Sequence, residues 1–157
     1  MPGTSRPAAA TLDDTSKAII EQLQEDGRRS YADIGRAVGL SEAAVRQRVQ
    51  RLIESGAMQI VAVTDPMQLG FARQAMIGVK VAGDIARVAE ALAALDGVTY
   101  VVMTAGSFDL LVEVVCESDD ELIDILNSRI RGLDGVVSTE TFVYLRLHKQ
   151  LYNWGTR

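Results

Sequence analysis

The chain has 157 residues, 48% of them hydrophobic, and a formal net charge of −5. That apolar content can fill one core or two small ones, but its runs are too short to cross a bilayer, so no membrane partner is expected. A lone cysteine, Cys116, excludes an intrachain disulfide and suits a reducing cytoplasm, while a lone histidine, His148, leaves no Cys/His cluster for zinc and no paired nucleophile and base for catalysis.

Residues 1–11, MPGTSRPAAAT, carry small residues and prolines without the apolar segment of a secretory leader, and are expected to form a disordered arm. Asp13 can cap a first helix with Ile19, Ile20 and Leu23 on its apolar face, stopped at Asp26-Gly27. Ile34, Ala37 and Val38 mark the inner face of a second, short helix that turns at Gly39-Leu40. Ser41 then suits the N-cap of a third, because its hydroxyl can accept from an otherwise unpaired backbone N–H. In that helix Val45, Val49, Leu52 and Ile53 fall at i, i+4, i+7 and i+8, an apolar stripe for packing, and Gly56 ends it. Two helices joined by a tight glycine turn have the geometry that lays one of them in the major groove of DNA.

Charge agrees with that expectation. Residues 28–51 hold six arginines (Arg28, Arg29, Arg36, Arg46, Arg48, Arg51) against Asp33 and Glu42, a local +4 on an acidic chain. Local positive charge can hold phosphate while the remainder keeps the molecule soluble.

After Gly56 the sequence MQIVAVTD takes strand character through Ile60, Val61 and Val63, a short wing or linker strand. Residues 12–64 are thus expected as a winged-type helix-turn-helix domain, and 65–72, opening with Asp65-Pro66, as a linker. Residues 73–157 carry a different pattern: a strand over 75–81, a helix over 85–95, strands over 98–105 and 110–115 joined by a Gly106-Ser107-Phe108-Asp109 hairpin, a helix opened by the capping box Ser118-Asp119-Asp120-Glu121, and a last strand over 136–147. The order βαββαβ is that of ferredoxin-like domains, so the fold class is α+β. Helices cover one face of such a sheet. The valine-rich strands predict that the other face is apolar as well, which implies dimers formed sheet to sheet.

The helix-turn-helix with LSEAAVRQRVQRLIESG, the linker DPMQLG and a βαββαβ domain containing GSFDL resemble, in that order and spacing, the Lrp/AsnC family of transcription regulators. The similarity runs from about Leu12 to Lys149. It departs at Ser16, where the family usually has aspartate, and at Gly56-Ala57-Met58, where glycine, valine and isoleucine are usual. The resemblance implies a palindromic or curved double-stranded operator, a homodimer assembling into tetramers or octamers, and an amino-acid effector bound between dimers. No enzyme activity, metal or other cofactor is expected.

Residues near the N-terminus of a groove-reading helix meet base edges first. Ala43, Ala44, Arg46 and Gln47 are therefore the candidates for base readout. Arginine can chelate guanine and glutamine can pair with adenine, while the two alanines either touch thymine methyls or simply permit close approach. Arg28, Arg29, Ser30, Arg48 and Arg51 suit phosphate positioning, with Ser41 and Gln50 on the same surface; for Arg48 and Arg51 the rival role is an ion pair with Glu54 or another acid of the domain.

An amino-acid pocket needs donors for a carboxylate and an acceptor for an ammonium. The hairpin Ala105-Gly106-Ser107-Phe108-Asp109 offers loop amides and the Asp109 carboxylate, and the resemblance places the effector there, facing the last strand of a neighbouring dimer. Thr139 and Thr141 of that strand could supply hydroxyls, and Met103 and Thr104 would line the side-chain space. The competing reading is that Asp109 only bonds the turn, that Gly106 only supplies positive φ, and that the threonines are ordinary strand residues. An architectural DNA-wrapping protein without an effector is the alternative function.

Overall fold

The computed structural model describes residues 12–156, so the proposed arm at 1–11 lies outside the described residues. Two compact units emerge: residues 12–63 together with 148–156, and residues 64–147.

In the first unit α1 (Asp14–Glu25), α2 (Tyr31–Val38) and α3 (Glu42–Glu54) surround a core of Ile19, Leu23, Ile34, Val45 and Val49. Each helix starts on the side-chain cap its sequence offers. Asp13 accepts from Ser16 N–H, Ser30 from Asp33 N–H and Ser41 from Ala44 N–H. Gly39 ends α2 in the left-handed region at φ 74°. Gly35, buried inside α2, is required by packing: a Cβ there would run into the Leu40 carbonyl of the turn. Two expectations fail. Ala37 is exposed and Ile53 is 44% exposed, because the tight turn brings only the Ile34–Gly35 side of α2 and the Val45–Val49–Leu52 line of α3 inward.

The stretch after α3 is not a strand. Residues 59–65 make no sheet pairing, and Ile60, Val61 and Val63 are exposed, so the expected wing is absent among the described residues. A strand is stable only with a partner, and none is supplied here among the described residues. A short 3₁₀ turn, Pro66–Leu69, precedes the second unit's first strand.

That unit has β1 (Arg73–Val81), α4 (Ile85–Ala93), β2 (Val98–Met103), β3 (Leu110–Cys116), α5 (Asp119–Asp124) and β4 (Val136–Val143), the expected βαββαβ order. The four strands pair antiparallel as β2-β3-β1-β4. On one face Ala75, Ile77, Val79, Leu110, Val112, Val114 and Cys116 are buried with Val88, Leu92, Ile125 and Ile130 from the helices. Burial pushes the Cys116 thiol pKa up, in keeping with a structural thiol. The helix after Ser118 is not regular. It passes into a π-helical turn, Ile125–Ile130, after which a Cβ on Gly132 would collide with the Ser128 carbonyl. Ile123, one residue past buried Leu122 on the regular turns of α5, is exposed.

The other face follows from the register. Tyr100, Glu113, Met76 and Phe142 form one row across it; Val102, Leu111, Gly78 and Glu140 form the next. Tyr100 and Phe142 are 51% and 45% exposed. Among the described residues no helix is long and apolar enough to cross a membrane.

Candidate DNA interface and effector face

The buried stripe of α3 fixes which of its residues face outward. With Val45, Val49 and Leu52 in the core, Ala43, Ala44, Arg46, Gln47 and Gln50 line one open surface depression. The Arg46 guanidinium is held over this surface by Glu42 at 2.8 Å and by the ring of Tyr31, whose centroid lies 5.2 Å away. Tyr31 was not foreseen, since nothing in the pattern of α2 announces a partner across the turn. Gln47 is exposed, and Gln50 donates to Glu54 at 2.9 Å.

The arginines expected to position phosphates divide into two groups. Arg28, Arg29 and Ser30 line a second depression, at the start of α2, with Arg36, Glu25 and Asp33. Ser30 Oγ is already engaged with Asp33, and Arg29 lies 3.5 Å from Glu25. Arg51 is exposed and makes no ion pair among the described residues. Arg48 differs. Only 33% exposed, it donates to Asp13 Oδ2 at 2.7 Å and to Ser16 Oγ at 3.2 Å. Its acid is thus not the nearby Glu54 but the cap of α1, so the ion pair that Arg48 makes here joins α3 to α1. Hydrogen bonds from Ser16, and then from the Arg48 guanidinium, hold the Asp13 pKa down at about 2.

In the second unit the 104–109 hairpin is closed by its own hydrogen bonds. Thr104 N–H donates to Asp109 O at 2.9 Å and Thr104 Oγ1 to Phe108 O at 2.6 Å. Asp109 N–H donates to Val79 O, and Asp109 Oδ2 accepts from Val81 N–H at 2.8 Å, where the β1–β4 register shifts. One carboxylate oxygen is therefore committed to the fold. Ala105, Gly106 and Ser107 are exposed, and Gly106 has negative φ with open space around it, so positive φ does not explain that glycine. Phe108 folds away from the loop tip. Its ring lies so close over Gly78 that no Cβ would fit, and it meets Phe142 edge-on at 6.3 Å.

Thr139 and Thr141 pair with Val79 and Ile77, so both hydroxyls belong to the helix-covered face at the β4 edge. Met103 pairs with Leu110 at the opposite, β2 edge. Three strand spacings, roughly 14 Å, separate Met103 from Thr139. One chain therefore does not gather the whole expected set. Thr139 Oγ1 accepts from Arg131 Nε at 2.8 Å, and Arg131 also donates to Asn127. Neither partner was foreseen, because the π-helical turn that places them has no sequence signal. Among the described residues no group of metal-ligating side chains occurs.

Residues 12–53 match the AsnC-type helix-turn-helix domain, and residues 74–154 match the Lrp/AsnC ligand binding domain. The chain belongs to the Lrp/AsnC family. This regulator is 36% identical over 141 residues to the transcriptional regulator FL11 of Pyrococcus furiosus, covering 88% of this chain and 93% of that one. It is 30% identical over 138 residues to the regulatory protein AsnC of Escherichia coli, covering 86% and 91%. The solved leucine response regulatory protein of Mycobacterium tuberculosis superposes with a TM-score of 0.80 at 26% identity, covering 88% of this chain and 96% of that one. The Lrp/AsnC regulator described here is accordingly a transcriptional regulator with a DNA-binding and a ligand-binding domain, not an enzyme.

Proposed function

We propose that the regulator reads duplex DNA with the outward turns of α3, and that an amino acid held by its second unit changes how it does so. The observation that carries the first half is the split of α3 into a buried line, Val45, Val49 and Leu52, and an outward surface of Ala43, Ala44, Arg46, Gln47 and Gln50. Arg46 and Gln47 read bases, Arg46 exchanging Glu42 for a guanine edge. Arg28, Arg29 and Arg51 hold phosphates, and Arg48 keeps α3 in place. The chain works as a homodimer, its open sheet face against that of a second copy, because Tyr100, Phe108, Met76 and Phe142 make that face largely apolar.

The second half rests on the ligand-binding domain and on the donors at the 105–107 loop. A relative whose name records a leucine response makes an amino acid the chemical class to test first. With Met103 and Thr139 on opposite edges, a pocket that uses both draws one of them from another copy. Footprinting on the DNA upstream of the protein's own gene is expected to protect paired half-sites one helical turn apart. Arg46→Ala should relax sequence preference at a cost of about 1–3 kcal/mol. Arg51→Ala should weaken binding to every sequence and lower the salt slope by roughly 0.9. Operator binding left intact by Arg46→Ala with Gln47→Ala would defeat the groove assignment. Calorimetry with each of the twenty amino acids, and Asp109→Ala as control, tests the effector; silence from all twenty would leave a regulator without one.

A further inference from the structure

Two side chains hold the Arg46 guanidinium, and they hold different parts of it. Glu42, one turn back on α3, takes an edge: its Oε1 accepts from Arg46 Nη2 at 2.8 Å. Tyr31 takes the face, with its ring centroid 5.2 Å from Arg46 Cζ. The two supports also differ in firmness. Glu42 and Arg46 are both more than half exposed, and an ion pair one helical turn apart in water is weak. Tyr31 is half-buried, stands directly after the Ser30 cap of α2, and packs against the core of Ile19, Leu23, Ile34, Val45 and Val49. Its place is therefore set by the fold of the three helices and not by Arg46.

The difference matters once a base arrives. Guanine offers O6 and N7 to the N–H edge of a guanidinium, where Glu42 already sits. A ring against the face leaves that edge free, so this contact survives while the guanidinium meets the base. We propose that Tyr31 is a specificity-determining positioning residue, the platform that holds Arg46 for a guanine edge, and that Glu42 is the competitor the base displaces. Both roles rest on the reading of DNA by α3 proposed above; the stacking of Arg46 on Tyr31 does not. Two contacts with one guanidinium thus act in opposite directions. Loss of the platform frees a long side chain that must then be ordered in the groove. Loss of the competitor removes a bond to be broken and a negative charge from the surface that meets DNA.

The stacking is tested by NMR on the full-length protein without DNA. Nuclear Overhauser contacts between the Tyr31 ring protons and the Arg46 side-chain methylenes are expected in the wild type, and their absence would overturn the platform. The positioning role is read as the affinity for the footprinted upstream duplex divided by that for a scrambled duplex of the same length. Tyr31→Leu should lower this ratio by about threefold, and Tyr31→Phe, which keeps the ring, should retain it. In an Arg46→Ala background Tyr31→Leu should leave the ratio unchanged. A loss of equal size in that background would make Tyr31 a support of the helix core alone and overturn its positioning role. Glu42→Gln should raise affinity for the upstream duplex by about twofold, and a fall would overturn the competitor. A wild-type chain that does not prefer the upstream duplex would sink the DNA reading and both roles with it, while the NMR contacts would still decide the stacking.

Discussion

Asp13 divides its carboxylate between two tasks. Oδ1 accepts from Ser16 N–H and caps α1, while Oδ2 takes the Arg48 guanidinium. Its pKa lies at about 2, below the ordinary carboxylate value, so the charged form is favoured by folding. The stability it contributes is complete above roughly pH 4 and disappears as the pH falls through the folded value near 2. Asparagine keeps a capping oxygen but loses the charge. Asp13→Asn should therefore flatten the acid limb of the helical circular-dichroism signal between about pH 4 and 2; a limb identical to wild type would mean that the ion pair adds nothing to folding. The cap was legible in the sequence because a cap and its helix are neighbours in the chain. The Arg48–Asp13 pair was not, because the two residues lie 35 apart and local charge counting carries no information about such a pair.

At the scale of the elements, the hairpin and the strand beneath it separate folding from ligand contact. A Cβ on Gly78 would strike the Phe108 ring, whereas Gly106 stands in open space at negative φ. Gly78→Ala should cost about 1–3 kcal/mol in denaturant unfolding as Phe108 is pushed off β1. Gly106→Ala should stay within about 0.5 kcal/mol of wild type, so that any loss of ligand heat it causes belongs to the loop. A destabilised Gly106→Ala would return that glycine to a purely architectural role. Helix caps, strand alternation and the βαββαβ order were all readable, since each is written in residues close together in sequence. The Phe108–Gly78 stack, the Arg131–Thr139 bond and the π-helical turn were not, because each depends on which strands become neighbours or on a local change of helical pitch. The expected wing failed for a related reason. Apolar alternation in 59–65 records a tendency to pair, and no strand among the described residues answers it.

For the molecule as a whole, the second unit buries one face of its sheet under helices and leaves the other with Tyr100, Met76 and Phe142 on it. Among these stands a carboxylate. Glu113 accepts from Tyr144 OH at 2.9 Å and from Gln74 Nε2 at 3.1 Å, and burial with that hydrogen bond pushes the Tyr144 pKa up to about 12. The phenol thus remains a donor at any physiological pH, and Glu113 keeps partners on its own strand neighbours when the face is covered. Tyr100→Asp with Phe142→Asp should convert the species seen by sedimentation equilibrium into a monomer without loss of secondary structure. A variant that sediments as wild type would move the subunit boundary elsewhere.

An apolar sheet face left in water also bears on dosage. If pairing is what buries it, protein made in small amounts stays single, and the paired form accumulates with the square of its abundance. Occupancy of a twofold DNA site would then rise more steeply than expression itself, so that modest changes in synthesis act as a threshold on the genes controlled.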